Sequence, residues 1–328
     1  MSFDSQISRR TVLAAGAAAL AAGVLPLSAF AQSGTVRFVL PNATGSGVDA
    51  ITRSAQPALA KALNTSVVVE NQPGAGGIVG LQTLARSAPD GNTLSVVSNN
   101  VVIFPSVIKS LPFDMPNDFT PIAVVGATPM VLVANPSKVP ATNHKEFAAL
   151  LKGQPGSLNF GSGGNGTILH LAGELYLDAA GLKAKHIPYK GVGPMVTDLL
   201  GGQIDFAVAA LPSVQQHIKS GALKAIGTLT PQRTPAAADI PTFAEQGLNN
   251  FAVEAWFAVI GPKGMSQANV KKAHDAVVQA FNDPTVKEAM AKQGNTINIS
   301  SPEEAQAAFR RELAKYAALV KKVGLEPQ

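Results

Sequence analysis

Short runs of apolar, mostly β-branched residues alternate with longer amphipathic segments along most of the chain. The short runs predict buried strands, and segments whose apolar positions recur three and four residues apart predict helices. The predicted strands cover residues 35–40, 67–69, 93–97, 122–125, 131–134, 158–160, 185–187 and 204–209. The predicted helices cover residues 47–63, 78–86, 144–151, 167–180, 195–200 and 213–220. This alternation is typical of parallel sheets built from βαβ units.

Two such alternating sets predict two α/β lobes, each a parallel-type sheet flanked by helices. A proline-rich stretch follows the first set over residues 105–121, and the chain is predicted to cross between the lobes near residues 130–136 and 251–260. The first lobe is therefore predicted to be discontinuous, residues 32–131 plus 257–328, and the second to cover residues 132–256. Two lobes around a cleft are typical of binding proteins that close by a hinge.

The C-terminal segment over residues 266–323 has a helical pattern that is polar on one face. Its last helix is predicted to begin at Ser301, because a serine followed by Pro302 and two glutamates combines an N-cap with first-turn residues that favour a helix start.

The first 31 residues have the three parts of a signal peptide. Arg9 and Arg10 supply positive charge, an apolar run covers residues 11–25, and Ala29-Phe30-Ala31 predicts cleavage after Ala31. The alternative is an uncleaved anchor, but the run is shorter than the roughly 20 apolar residues of a membrane span. The paired arginines favour the twin-arginine export route, and the general secretory route stays open. We therefore expect an exported, soluble protein.

The composition excludes several classes of protein. Only 14% of the 328 residues are charged, and the net charge of +5 comes from 26 basic against 21 acidic residues with no basic tract. A nucleic-acid-binding arm would need clustered lysines and arginines. The chain has no cysteine, which excludes a disulfide scaffold, a thiol nucleophile and thiolate metal sites.

Two glycine-rich segments follow predicted strands and precede predicted helices. The first glycine loop, residues 41–49, contains Asn42, Thr44, Gly45, Ser46, Gly47 and Asp49. The second glycine loop, residues 161–167, contains Ser162, Gly163, Asn165, Gly166 and Thr167. Ligands of parallel sheets bind at the carboxyl ends of the strands, and free amides at helix starts favour anions. The two loops are therefore predicted to face one cleft and hold a carboxylate.

Two other interpretations of the first glycine loop stay open. Ser46 and Asp49 have the spacing of a capping box, so both side chains could simply complete the helix start. Residues 45–50 also match G-x-G-x-x-A, with Glu70 about 20 residues on, which is the pattern of a dinucleotide site. The four residues between the strand and the first glycine disfavour that fold.

The histidines give little support for catalysis or metal binding. A catalytic pair of Ser162 and His170 lacks the G-x-S-x-G elbow, so His170 is expected to support the second glycine loop instead. The histidines lack the paired spacing of a metal site. His186 is expected to be structural, and Trp256 to belong to the core between the lobes. We expect no catalytic residue, metal or cofactor.

Several motifs closely resemble the exported receptors of tripartite tricarboxylate transporters, the Bug family. They are VENQPGAGG (69–77), APDGNTL (88–94), DFTPIA (118–123), HLAGEL (170–175), HIPYKG (186–191), TDLLGGQIDF (197–206) and AWF (255–257). The resemblance runs in order across almost the whole mature chain. It implies a type II-like periplasmic binding protein with two sheets flanked by helices, a small carboxylate as ligand and membrane permease subunits as partners. We expect it to act as a monomer.

The resemblance also implies how the ligand is held: by loop amides, small hydroxyl groups and bridging waters. It assigns this role to residues 45–47 and 162–167, with Ser98 as a further candidate. The full set of candidate substrate-binding residues is Asn42, Thr44, Gly45, Ser46, Gly47, Asp49, Ser98, Ser162, Gly163, Asn165, Gly166, Thr167, His170 and Ala209.

The sequence departs from the family pattern at two places. Residues 44–46 are Thr-Gly-Ser where the family commonly has Pro-Gly-Gly, and residues 209–210 are two alanines where relatives often have polar residues. Two alanines widen the pocket and remove hydrogen-bonding partners, which favours an aliphatic or aromatic carboxylate over an amino acid. An exported dinucleotide-dependent oxidoreductase and a receptor that serves a sensor kinase are the alternative functions.

Overall fold

The computed structural model describes residues 34–249 and 251–327. The predicted signal peptide and its cleavage site at Ala31 lie outside these described residues. None of the helices in the described ranges combines the length and the apolar character that a membrane crossing requires.

The described residues form strands and helices in the predicted alternating order. The strands are β1 (Val36–Leu40), β2 (Val67–Asn71), β3 (Thr93–Ser98), β4 (Phe119–Thr128), β5 (Met130–Ala134), β6 (Asn159–Ser162), β7 (Lys185–Pro188), β8 (Phe206–Ala210), β9 (Lys224–Thr228), β10 (Ala255–Pro262) and β11 (Thr296–Ile297). The α-helices are α1 (Gly47–Leu63), α2 (Ile78–Ala85), α3 (Asn100–Val107), α4 (His144–Gly153), α5 (Ile168–Ala180), α6 (Val192–Leu200), α7 (Leu211–Lys219), α8 (Gln267–Asn282), α9 (Pro284–Lys292) and α10 (Pro302–Lys322).

The strands form two sheets. The first has six strands in the order β11-β4-β10-β3-β1-β2, and the second has five in the order β7-β6-β8-β5-β9. The β1–β2, β1–β3, β6–β7 and β6–β8 pairs are parallel, as the βαβ pattern predicts. Strands β10 and β5 are antiparallel to both of their neighbours, so both sheets are mixed. We call the part of the chain around the six-stranded sheet the first lobe and the part around the five-stranded sheet the second lobe.

The chain passes between the sheets at two places. Only Pro129 separates β4 of the first sheet from β5 of the second, and the return follows β9 and ends at β10 in the first sheet. Strand β10 lies wholly in the first sheet, whereas the predicted lobe boundary at residues 256/257 divides it. The C-terminal helices accompany the first lobe, since Tyr316 of α10 accepts a hydrogen bond from Asn99 Nδ2 through its hydroxyl at 2.6 Å.

Local sequence explains where the best-predicted helices begin and end. Ser46 caps α1 by accepting the amide of Asp49, and Asn64 ends the helix in a left-handed conformation with φ of 51°. The predicted start of the last helix is also observed, because Ser301 and Glu304 form a reciprocal capping box with Pro302 in the first turn.

The sequence pattern missed α3 and the strands β9, β10 and β11. Helix α3 contains Pro105 and lies partly in the predicted proline-rich stretch. Its residues Val101, Val102, Ile103 and Phe104 are all buried, so the helix is apolar all round and shows no periodic polar face.

Candidate functional site: a cleft between the lobes

A cavity of about 80 Å³ lies between the two lobes. Its first-lobe walls come from residues within 41–48, 73–77, 98–100, 128 and 255–257. Its second-lobe walls come from residues within 130, 163–169, 190–192 and 210. Both glycine loops therefore contribute to one cavity, at the carboxyl ends of the parallel strands.

Six helices begin at residues that line this cavity. The residues at these helix starts are Gly47 (α1), Gly77 (N-cap of α2), Asn100 (α3), Ile168 (α5), Val192 (α6) and Ala210 (N-cap of α7). The N-terminus of a helix carries a partial positive charge and amides without intrahelical partners. Six such ends around one small space favour an anion.

Some of these amides are free to bind a ligand. The amides of Gly47 and Val48 in α1, and of Leu169 in α5, have no hydrogen-bond acceptor within the described ranges. The neighbouring amide of Ile168 is different, because it donates to Asn100 Oδ1 of the first lobe at 2.8 Å.

Four first-lobe candidates line the cavity. They are Asn42, Ser46, Gly47 and Ser98. The side-chain oxygen of Asn42 is buried and has no hydrogen-bond partner among the residues that the structure describes. It is therefore a polar group of the wall that a ligand or an ordered water can satisfy.

Asp49 lies beneath the first glycine loop and does not line the cavity. Its carboxylate accepts hydrogen bonds from the amide of Gly45 (3.0 Å), from Asn71 Nδ2 (2.9 Å) and from Arg53 Nε (2.8 Å). The side chain is only 5% exposed. Ser46 and Asp49 form half of a capping box, because the carboxylate returns to the amide of Gly45 rather than to that of Ser46.

Thr44 and Gly45 are exposed and also do not line the cavity. Gly45 has a φ of +81°, which favours glycine, and its carbonyl accepts a hydrogen bond from Ser213 Oγ of the second lobe at 3.2 Å. The tip of the first glycine loop therefore bridges the two lobes outside the cavity.

In the second glycine loop, Gly163 and Thr167 line the cavity. Thr167 caps α5 and donates its hydroxyl to the carbonyl of Gly164 at 2.8 Å. Ser162, Asn165 and Gly166 do not line the cavity. Ser162 is fully buried, and its Oγ accepts the amide of Gly164 at 3.2 Å, so it supports the loop from behind.

The two candidates on buried elements, His170 and Ala209, do not line the cavity either. His170 is 5% exposed and accepts the amide of Gly166 through Nδ1 at 3.1 Å. Ala209 packs in the core of the second lobe, whereas the next residue, Ala210, lines the cavity. Successive side chains of β8 point to opposite faces, which explains the difference.

Sequence reasoning missed several segments of the wall. Residues within 73–77 and 190–191 were noticed only as parts of family motifs. Val192 lies just outside those motifs, and Asn100 was not noticed because α3 was not predicted. Glycines and prolines supply most of the first segment, so it carries no side chain whose chemistry points to a ligand. The signal available was its position, since residues 73–77 follow β2 in the same way that the first glycine loop follows β1.

The wall is mostly apolar. Met130, Ile168, Leu169 and Phe257 contribute apolar side chains, and Lys190 is the only charged lining residue in the described part of the chain. Trp256 lines the cavity and is half-buried. Its indole N–H donates to Glu312 of α10 at 3.1 Å, so its polar atom is already satisfied.

The lobes are in contact around the cavity. A Cβ placed on Gly164 would lie only 3.3 Å from the Cα of Gly76, and Gly164 has a φ of +138°. The φ value favours glycine at this position and the close approach leaves little room for a side chain, so the second glycine loop and residues 73–77 meet backbone to backbone.

The acidic residue of the dinucleotide pattern is engaged elsewhere. The Glu70 carboxylate binds Arg37 through two hydrogen bonds of 2.9 and 2.8 Å and does not line the cavity. This ion pair lowers the pKa of Glu70. The carboxylate is therefore committed to a neighbouring strand rather than presented to a ligand.

Two lobes with a cleft at the strand ends define the fold class of the periplasmic binding proteins, and the predicted fold class is confirmed. The chain belongs to the family of tripartite tricarboxylate transporter receptors (TctC), whose family model matches residues 51–325. The resemblance drawn from the sequence motifs is thereby confirmed.

Individual relatives agree with this assignment. BugT of Bordetella pertussis is 34% identical over 291 residues, which cover 88% of this chain and 89% of BugT. The solved structure of the periplasmic binding protein BugD has a TM-score of 0.85 and 33% identity, over 90% of this chain and 99% of that one. The structure of R. palustris Rpa4515 with adipate has a TM-score of 0.86 and 25% identity, over 90% and 98% of the two chains.

Proposed function

We propose that this protein is a periplasmic receptor that captures a small organic carboxylate between its lobes and delivers it to the membrane permease of a tripartite tricarboxylate-type transporter. It acts by binding and release, without catalysis. One observation carries the proposal: six helix N-termini surround a mostly apolar cavity in which Lys190 alone, among the described residues, is charged.

The anionic part of the ligand follows from the helix ends. The free amides of Gly47, Val48 and Leu169 can donate to carboxylate oxygens from both lobes, which couples ligand binding to closure of the cleft. Adipate in the related Rpa4515 structure is a carboxylate of this kind.

The rest of the ligand follows from the apolar wall. No acidic side chain lines the cavity within the described ranges, and the Asp49 carboxylate beneath it is already bonded to three donors. An amino acid would leave its ammonium group without an ionised acceptor. An aliphatic or aromatic carboxylate without an ammonium group is therefore the class of ligand that fits.

The export route and the partner rest on the sequence and the family. The predicted signal peptide, with cleavage after Ala31, would release residues 32–328 as the mature protein. The family description supports a transporter as the partner. Deleting the gene and measuring carboxylate uptake beside the transcriptional response separates transport from signalling through a sensor kinase.

A thermal-shift screen of the mature protein tests the ligand class. Adipate, hexanoate and benzoate are compared with adipamide, hexanamide and benzamide, so each acid has a neutral partner of the same shape. We expect at least one acid to raise Tm while its amide does not, because only the charged form interacts strongly with the helix ends. Stabilisation by nucleotides but by no carboxylate would refute the proposal.

A further inference from the structure

Two imidazole rings, the buried ring of His170 and the half-buried ring of His186, stack directly behind the second glycine loop. The rings of His170 on α5 and His186 on β7 have centroids 3.7 Å apart and an interplanar angle of 10°. Phe160 of β6 packs against His186 with ring centroids 4.9 Å apart. The pair therefore lies on α5 and β7, and β6 supplies a third ring beside it. None of these three rings lines the ligand cavity.

Each ring is bonded to a different part of the loop. The amide of Gly166 donates to His170 Nδ1 at 3.1 Å, which requires that nitrogen to carry no proton. His186 Nε2 lies 2.7 Å from Ser162 Oγ, and the same oxygen accepts the amide of Gly164. Gly163, which lines the cavity, lies between these two attachment points.

We propose that His170 and His186 are positioning residues that hold the second glycine loop in its binding conformation, and that the attachment through His170 holds only while its ring is neutral. The inference rests on the proposed function, because the loop is taken to bind the carboxylate. Protonation of His170 at Nδ1 turns an acceptor into a donor facing the Gly166 amide, so the loop loses that attachment.

The surroundings decide how the pair responds to a proton. Among the described residues, Glu174 lies one turn along α5 from His170, and its Oε1 is 3.5 Å from His170 Nε2. Two cations at the stacking distance would repel strongly in a buried site. Burial, together with the charge that His170 would carry, lowers the pKa of His186 to about 3.

Three variants separate positioning from simple structural support. His170→Asn keeps an acceptor near the position of Nδ1 but cannot titrate, whereas His170→Leu removes the acceptor. His217→Asn, in the last turn of α7, is the matched control because it makes the same substitution at an imidazole elsewhere in the same lobe.

Hydrogen–deuterium exchange of the mature protein without ligand tests the loop itself. Between pH 7 and pH 4, after correction for intrinsic exchange rates, we expect protection of the Gly164 and Gly166 amides to fall about tenfold in wild type and in His217→Asn. The protection in His170→Asn should change much less. The His170→Leu variant should show the low protection already at pH 7. Equal protection at both pH values in wild type would overturn the proposal.

Adipate binding by calorimetry gives the second readout. At each pH the ligand is protonated to the same extent for every variant. The ratio of two variants' Kd values therefore reports only the effect of pH on the protein. We expect the Kd of wild type to rise about fivefold more than that of His170→Asn between pH 7 and pH 4. If the protection of the loop depends on pH but no carboxylate binds at pH 7, the proposed function is contradicted and the positioning role is not. Binding with protection independent of pH would contradict the positioning role alone.

Discussion

Asn100 Oδ1 in the first lobe accepts a hydrogen bond from the amide of Ile168 in the second lobe at 2.8 Å. Both residues line the cavity, and each is the first residue of a helix. The Ile168 amide has no acceptor within its own helix, and the opposite lobe supplies one in place of the ligand. The contact exists only when the lobes are together, so it stabilises the closed cleft.

Replacement of Asn100 is expected to weaken ligand binding through this contact. In Asn100→Ala, the closed form loses one hydrogen bond worth about 1 kcal/mol, so Kd should rise roughly fivefold. Calorimetry with the carboxylate that gives the largest thermal shift measures the change. Asn282→Ala, at the end of α8, is the control and should leave Kd unchanged. An unaltered Kd in Asn100→Ala would show that the contact does not contribute to closure.

Adjacent alanines on β8 are expected to have opposite effects. Ala210 lines the cavity, and a Cβ added at Gly47 would approach its Cβ to 3.2 Å. Ala210→Asn should therefore fill space and raise Kd for an apolar carboxylate about tenfold with little loss of stability. Ala209→Asn places a polar group in the fully buried core and should lower Tm instead.

Chemical denaturation beside calorimetry checks this pair of variants. The assignment of the two faces of β8 would be wrong if Ala209→Asn changed the affinity while Ala210→Asn changed only the stability. Equal losses of stability in both variants would also contradict it.

Asp49 is expected to matter for stability more than for the ligand. Asp49→Ala leaves the Gly45 amide without its acceptor and removes one of the two acceptors of Asn71 Nδ2, the other being the carbonyl of Asn42, which should cost about 2 kcal/mol of unfolding free energy. Asp49→Asn retains an oxygen for one of these donors and should cost less. Urea denaturation measures both. A changed preference between charged and neutral ligands in Asp49→Asn would instead place the carboxylate next to the ligand.

Stability is expected to fall as the pH drops below the ordinary histidine range. The pKa of His186 is lowered from 6.5 to about 3 in the folded protein, so the unfolded chain binds the proton more readily. The contribution of His186 is complete above pH 6.5 and is lost as the pH falls toward 3. Since the ring is partly exposed, we expect a loss of about 1 kcal/mol per pH unit rather than the full 1.4.

Urea denaturation at pH 7, 6 and 5 isolates this effect. Carboxylates such as Glu70, whose pKa is lowered from 4.5 by Arg37, add their own loss only at lower pH. Burial lowers the pKa of His144 in the same direction, so His186→Gln should remove part of the slope and not all of it. A slope identical to that of wild type in His186→Gln would contradict the assignment.

Local signals predicted where α1 and the last helix begin. Helix α1 was predicted with its observed bounds, and its ends have clear local causes: Ser46 is the N-cap, and Asn64 ends the helix in a left-handed conformation. The two glycine loops were expected to share a cleft because the ends of parallel strands lie on one side of a sheet. The order of the elements along the chain and the direction of the strands are enough for this prediction, and the sequence pattern indicates both.

The parts that were missed depend on contacts between distant residues. The antiparallel strand β10 pairs with β3 and β4 from far along the chain, and no local pattern reports such a pairing. His186 was expected to be structural, but its stacking on His170 depends on how β7 packs against α5. The division between Ala209 and Ala210 similarly depends on which face of β8 meets the cleft.

The helix ends around the cavity determine how ligand binding responds to the salt concentration. Dissolved ions screen exposed charges over about 10 Å at 0.1 M salt, but they do not enter a closed, mostly apolar space. An anion held by backbone dipoles inside such a space is shielded from that competition. Lys190 is the only charged residue at the wall among those the structure describes, and it is exposed. A receptor built in this way would retain its ligand in dilute and in saline surroundings alike.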